Sequence, residues 1–95
     1  MTQHEFEFWS AELNPHTPSL DVHGLRVSEA IEEVDKFLDR QLIGKHAAVK
    51  IIHGSGMGAL RVAIQKLLQT HTNVAAQHDS DRIHELAAVT YVILK

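Results

Sequence analysis

Residues 47–58 read AAVKIIHGSGMG, and this stretch decides the fold. Ala47 to Ile52 is an apolar run interrupted only by Lys50, and its length and β-branched content are typical of a buried parallel strand. The glycines that follow at alternate positions predict a tight loop. After Gly58, apolar residues return at helical spacing, so the loop is expected to open directly into a helix.

A strand and a helix are also predicted before this stretch. Residues 19–23 alternate apolar and polar side chains, which predicts a short strand with Asp21 and His23 on the same face. A helix with a regular apolar face is expected to follow. Ser28 is its predicted N-cap and Gly44 its predicted end.

Two more strands are predicted after the second helix. Residues 74–78 are a candidate third strand, residues 79–81 have turn chemistry, and residues 88–94 form a strong final strand. The predicted order is β-α-β-α-β-β. A right-handed crossover would make the first two strands parallel, and a hairpin would make the last two antiparallel. The expected fold class is therefore α/β, a two-layer sandwich of a four-stranded mixed sheet and two helices.

Residues 1–18 differ in character from the rest of the chain. They hold both prolines and an aromatic patch, so they are expected to form a flexible N-terminal arm or a linker remnant. Residues 19–95 are then the domain. Such an arm would suit a domain that is joined to the rest of a longer polypeptide.

The composition limits the function classes that fit. A chain that is 44% hydrophobic and 22% charged, with no apolar run of about 20 residues, is typical of a soluble globular protein and not of a membrane span. The absence of cysteine excludes disulfides and thiolate metal sites and favours the cytoplasm. A formal charge of −3 argues against strong long-range attraction to nucleic acid, although the 8 histidines can add positive charge.

Three polar residues are expected at one edge of the sheet. Asp21 and His23 end the first strand and His53 ends the second, and ligands of open α/β sheets bind at the carboxyl ends of strands. A histidine beside a carboxylate suits general acid–base catalysis, as in phosphodiester cleavage. Alternatively, Asp21 caps a turn and His23 is a boundary histidine. His53 could be a second general acid, a phosphate contact or a residue that shapes the loop.

The glycine loop is a candidate phosphate site. Gly54, Gly56 and Gly58 would let the backbone approach a ligand closely, and the free N–H groups of the following helix favour an anion. Arg61, one turn into that helix, could reach back to the same anion. The alternatives are a purely structural turn and a solvated Arg61.

No metal ligand is assigned from the sequence. The other histidines are interpreted as scattered surface residues, because no pair has the spacing of a known zinc motif: His4, His16, His46, His71, His78 and His84. No cofactor is certain, and dependence on Mg²⁺ or Mn²⁺ stays open.

Two segments resemble the signatures of the Smr (small MutS-related) family. LDVHG at residues 20–24 resembles its opening motif, and IHGSGMGALR at residues 52–61 resembles its second motif. Smr domains occur as stand-alone proteins and at the C-terminus of MutS2-type proteins. The resemblance implies a two-layer fold similar to the C-terminal domain of a bacterial translation initiation factor. The family's acid and histidine fall on Asp21 and His23, and its arginine falls on Arg61.

The resemblance also implies a function and shows one departure. The implied function is an endonuclease that nicks or cleaves DNA or RNA; the alternatives are a non-catalytic nucleic-acid adaptor within a larger repair or translation-quality-control protein, or a structural domain with a vestigial pocket. Family members usually carry glycines just before the last strand. Residues 84–90 contain none here, and a Glu85 carboxylate that faced the site would repel phosphate.

Overall fold

The computed structural model describes residues 1–56 and 58–95 and shows a four-stranded sheet with helices on both faces. The α-helices are α1 (Gln3–Leu13), α2 (Val27–Ile43) and α3 (Ala59–Thr70), and Ile83–Glu85 form a single 3₁₀ turn. The strands are β1 (Ser19–Asp21), β2 (Ala48–Ile52), β3 (Val74–Asp79) and β4 (Val89–Leu94).

The strand order in the sheet is β1-β2-β4-β3. β1 is parallel to β2, and β4 is antiparallel to both β2 and β3. These pairings confirm the predicted mixed sheet, the parallel first pair and the antiparallel last pair. They also make β3 run in the same direction as β1 and β2. The carboxyl ends of these strands therefore meet at one edge of the sheet, beside the first residues of β4.

The main core lies between the sheet and helices α2 and α3. It contains fully buried aliphatic side chains from both layers, among them Val34, Leu38, Val49, Ile51, Ile64 and Val92. Alternation along β2 explains this arrangement, since Val49 and Ile51 point to one face while Ala48 and Ile52 point to the other. Burial of a large aliphatic side chain contributes about 1.5–3 kcal/mol, so this layer holds the edge in place.

Helix α1 is the difference from the predicted fold. Residues 3–13 lie within the expected arm, yet they form a helix with a capping box: the backbone N of Glu5 donates to Thr2 Oγ1 (3.1 Å), and the backbone N of Thr2 donates to Glu5 Oε1 (3.4 Å). The Thr-x-x-Glu pattern at residues 2–5 of the sequence indicates the N-terminus of this helix. The division of the chain at residue 19 stays a prediction.

Helix α1 covers the second face of the sheet. Phe8 and Ala11 pack against Ile52, Val89 and Tyr91, on the face opposite the main core. An exposed sheet face of this apolar character needs a cover, and α1 provides it. The described residues thus form three layers where two were expected.

Element ends differ from the predictions by a few residues. α2 begins at Val27 and not after Ser28, because the backbone N of Arg26 donates to Glu29 Oε1 (3.3 Å). Gly44 is the C-cap of α2, as predicted. Across residues 1–56 and 58–95, no helix has the length and apolar content needed to cross a membrane.

Candidate functional site

The carboxyl edge of the sheet opens into a cavity of about 330 Å³. His23 lies after β1, His53 follows β2, and both line this cavity together with the loop glycines and Arg61 at the beginning of α3. The structure therefore brings together residues that stand about thirty positions apart in the chain. Asp21 does not line the cavity but holds the ring of His23.

Asp21 and His23 form a hydrogen-bonded pair. His23 Nδ1 lies 2.5 Å from Asp21 Oδ1, and the backbone N of His23 donates to the same oxygen at 3.0 Å. The bond from the imidazole, followed by the bond from the backbone, lowers the pKa of the Asp21 carboxyl. An ionised carboxylate can only accept, so Nδ1 carries the proton of neutral His23 and Nε2 keeps its lone pair. The side chain of His23 is 69% exposed, which leaves Nε2 open to a substrate.

Gly54 determines where His23 can lie. Its φ of +81° is in the left-handed region, and a Cβ on this residue would lie 3.1 Å from Cβ of His23. A side chain here would be strained and would also push the histidine away. Gly54 is therefore required for the close contact between the first turn of the loop and the Asp21–His23 pair.

The glycine loop ends at the N-terminus of α3, as predicted. Gly58 is the N-cap with a φ of +86°, and the backbone N–H groups of the first helical turn have no partner inside the helix. Apart from its chain neighbours, no described residue has an atom within 4 Å of a Cβ built on Gly56, so none of them blocks the approach to the backbone there. Arg61 Nη1 lies 4.0 Å from Asp79 Oδ2, and Arg61 Nε is buried with no hydrogen-bond partner among the described residues.

His53 occupies a different environment from His23. It is 3% exposed, with Nε2 at 2.9 Å from Thr90 Oγ1 and Nδ1 at 3.2 Å from Gly54 O. Burial lowers the pKa of its imidazole and outweighs the bond to Gly54 and the charge of Asp79. Both ring nitrogens lie against protein atoms. Of the three predicted roles, this geometry favours the shaping of the loop.

Two residues beside the cavity were not predicted from the sequence. Asp79 ends β3, where only turn chemistry was predicted, and Thr90 lies inside β4 and is fully buried. Thr90 Oγ1 donates to Asp79 Oδ1 (2.8 Å), and Gln65 Nε2 donates to Asp79 Oδ2 (2.7 Å). Recognition of β3 as a strand parallel to β2 would have placed Asp79 at the same edge.

Comparison with known proteins decides the family. The Smr domain model matches residues 20–95. The chain belongs to the Smr family. The match confirms the resemblance to this family and covers the chain from β1 to its last residue.

Relatives of this Smr domain include much longer proteins. It is 45% identical over 62 residues to endonuclease MutS2 of Halalkalibacterium halodurans, covering 65% of this chain and 8% of that protein. It is 40% identical over 76 residues to endonuclease MutS2 of Bacillus velezensis, covering 80% of this chain and 10% of that protein. The chain thus spans about a tenth of the length of these relatives.

Two solved structures have the same fold. The Smr domain of Thermus thermophilus MutS2 matches with a TM-score of 0.81 at 33% identity, over 83% of this chain and 99% of that chain. YdaL, a stand-alone small MutS-related protein from Escherichia coli, matches with a TM-score of 0.82 at 24% identity, over 100% of this chain and 78% of that chain.

The segment without glycines supports the loop in this Smr domain. The carbonyl of Ala88 accepts from the backbone N of His53 (2.9 Å) and of Gly54 (3.1 Å). Ala87, just before it, has a φ of +59°, a conformation that glycine adopts more readily. Glu85 is buried on the α1 side of the sheet against Tyr91, so its carboxylate does not face the cavity. The condition for repulsion of phosphate by Glu85, that its carboxylate faces the site, is therefore not met.

The substitution Ala87→Gly is expected to stabilise this Smr domain by up to about 1.5 kcal/mol. Relief of the left-handed conformation gains about 1–2 kcal/mol, and the greater freedom of glycine in the unfolded chain costs about 0.5–1 kcal/mol. Urea unfolding measures the difference. Ala88→Gly is the matched control: its φ is not positive, so it should lower the stability. A less stable Ala87→Gly protein would contradict this account.

Clusters with the geometry of metal ligands lie elsewhere. Among the described residues, two groups of three acidic or histidine side chains have their ligand atoms within 4.8 Å of one another. They are Glu12–His78–Asp81 and Asp35–Asp39–His71. His71 and His78, predicted as scattered residues, are thus each beside two carboxylates. Neither cluster includes a member of the Asp21, His23 and His53 set, so no chemical step at the cavity is assigned to a metal ion.

Proposed function

We propose that this Smr domain is a phosphodiesterase that nicks or cleaves DNA or RNA at the cavity between β1 and α3. The Asp21–His23 pair carries the proposal. Its short hydrogen bond holds Nδ1 of an exposed imidazole against the carboxylate and turns Nε2 toward the mouth of a cavity with a helix N-terminus on its other side. Endonuclease MutS2 proteins, which share this domain, support the same class of chemistry.

His23 would act as the general base or general acid. In the first role its Nε2 takes the proton of the attacking hydroxyl or water; in the second it returns a proton to the leaving oxygen. Asp21 holds the ring through Nδ1–H and stabilises the imidazolium that forms, because its lowered pKa keeps it ionised. The pair thus provides a proton acceptor of fixed orientation.

The glycine loop and α3 would hold the phosphate. Backbone N–H groups of the first turn of α3 point toward the cavity end of the helix, where the dipole favours an anion. Arg61 would add a charge-assisted bond, because its 4.0 Å contact with Asp79 is longer than a hydrogen bond. These donors would stabilise negative charge on the phosphoryl oxygens during cleavage.

A non-catalytic adaptor is the second candidate. The formal charge of −3 and the Asp79 carboxylate beside Arg61 both weaken attraction to a nucleic-acid backbone. A domain of this kind would bind through the loop and depend on the rest of a longer protein for affinity. Binding without cleavage would distinguish it from the nuclease.

The test is cleavage of end-labelled single-stranded RNA and of supercoiled DNA, side by side. Each assay is run with Mg²⁺, with Mn²⁺ and with EDTA, and the His23→Ala protein reveals any contaminating nuclease. Cleavage of one substrate that the variant lacks is the expected result. Salt-sensitive binding without cleavage of either substrate would replace the nuclease by the adaptor.

A further inference from the structure

A chain of hydrogen-bonded polar groups, of which His53 and Thr90 are buried, runs beside the cavity. It begins at His53 Nε2, passes through Thr90 Oγ1 at 2.9 Å and reaches Asp79 Oδ1 at a further 2.8 Å. The other oxygen of Asp79 accepts from Gln65 (2.7 Å) and faces Arg61 Nη1 at 4.0 Å. The chain therefore links β2, β4 and β3 to α3, and it joins the histidine below the loop to the arginine beside it.

The direction of these hydrogen bonds follows from counting protons. An ionised Asp79 can only accept, so the single hydrogen of the Thr90 hydroxyl points to Asp79. Thr90 Oγ1 must then accept from His53, which requires the proton of neutral His53 to be on Nε2. The carbonyl of Gly54, 3.2 Å from Nδ1, can also only accept and therefore competes for this proton; the shorter contact at Nε2, which leads through Thr90 to a carboxylate, outweighs it. His23, in contrast, carries its proton on Nδ1 because Asp21 accepts there.

We infer that Thr90 and Asp79 are positioning residues that set the tautomer and ring orientation of His53 and hold Arg61 beside the loop. This inference rests on the proposed function for its consequence in cleavage. The two histidines of the site therefore have opposite tautomers, each set by its own carboxylate. Held through Nε2 by Thr90 and through its backbone N–H by Ala88, His53 gives the glycine loop a fixed starting point.

The tautomers can be read directly by NMR on the whole chain. Long-range ¹H–¹⁵N correlation at about pH 8, where histidine side chains are mostly neutral, is expected to show Nδ1–H for His23 and Nε2–H for His53. In Asp79→Ala the Thr90 hydroxyl loses its acceptor and turns to donate to His53 Nε2. The proton of His53 then moves to Nδ1, toward Gly54 O. Asp81→Ala, an exposed neighbour, is the control and should leave both histidines unchanged.

A second pair of variants tests Thr90 itself. Thr90→Val keeps the shape of the side chain but removes the hydroxyl, so the proton of His53 should move to Nδ1, toward Gly54 O, whereas Thr90→Ser should restore Nε2–H. If the chain cleaves nucleic acid, the cleavage rate should fall about tenfold in Thr90→Val and recover in Thr90→Ser. An Nε2–H tautomer that persists in Asp79→Ala, or in a folded Thr90→Val protein, would overturn the inference. This readout does not depend on cleavage, so failure of the proposed function would be seen separately.

Discussion

Replacement of His23 by alanine is expected to lower the rate of phosphodiester cleavage by about a hundredfold or more, which is the usual contribution of a general acid–base group. The imidazole provides the proton acceptor at the cavity, and the described residues that line it offer no exposed equivalent, since His53 is 3% exposed. Substrate affinity should change little, because the loop and Arg61 are left intact. Single-turnover cleavage with excess enzyme, together with filter binding, measures the two quantities separately.

Asp21→Asn should reduce the rate for a different reason. The asparagine amide can donate to Nδ1, which moves the proton of His23 to Nε2 and removes the lone pair that accepts the substrate proton. His16→Ala is a suitable control, because His16 is an exposed histidine outside this cavity. Equal cleavage by the wild-type and His23→Ala proteins would assign the activity to another group or another protein.

Replacement of Glu85 by alanine is expected to destabilise the fold by about 3 kcal/mol, the lower end of the cost of removing one partner of a buried ion pair, because Glu85 is buried but the side chain of Lys50 is 27% exposed. Glu85 Oε2 lies 2.8 Å from Lys50 Nζ, while Ser80 Oγ and Tyr91 Oη donate to Oε1 at 2.8 and 3.0 Å. Alanine would leave the partly exposed Lys50 cation and two hydroxyls without their acceptor. Since a whole domain is stable by only about 5–15 kcal/mol, the variant should be near the limit of folding.

Glu32→Ala is the matched control for this substitution. Glu32 pairs with Lys36 at 3.1 Å on the exposed face of α2, where an ion pair contributes about 0.3–0.5 kcal/mol. Urea unfolding should therefore separate the two variants clearly. A Glu85→Ala protein as stable as Glu32→Ala would show that the Glu85 network does not stabilise the α1 face of the sheet.

The same network predicts the response to acid. Burial alone would raise the pKa of Glu85, but the hydrogen bonds from Lys50, Ser80 and Tyr91 outweigh it and lower the pKa. A lowered pKa means that the stabilisation is fully present above the ordinary glutamate value of about 4.3 and is lost as the pH falls through the folded-state value. Unfolding curves between about pH 6 and pH 3 should show a loss that is smaller in Glu85→Gln.

Local patterns were enough for much of the fold. The apolar run at residues 47–52, the glycines that follow it and the helical spacing after Gly58 are properties of neighbouring residues, and they correctly predicted β2, the loop and α3. The Asp21–His23 pair was predicted on the same principle, because alternation along an extended segment places the two side chains on one face. The motifs of the Smr family lie in the same local segments.

Long-range packing decided the rest. The sequence showed that Glu85 stands near the glycine-poor segment, but only the sheet showed that its carboxylate lies on the α1 face with Lys50. Asp79 looked like a turn residue until the antiparallel β3–β4 pairing placed it opposite Thr90. Helix α1 had a capping signal, yet the apolar sheet face that it covers exists only once the strands are assembled.

The sequence by itself therefore determined the elements, the loop and the identity of the Asp21–His23 pair, because propensity, alternation and glycine conformation act over a few residues. The tertiary structure decided which groups share a face and which groups surround the ring of His53. Those outcomes depend on atoms from separate strands that meet within 3 Å, as His53 and Thr90 do. Contacts between residues 37 positions apart have no counterpart in any local pattern.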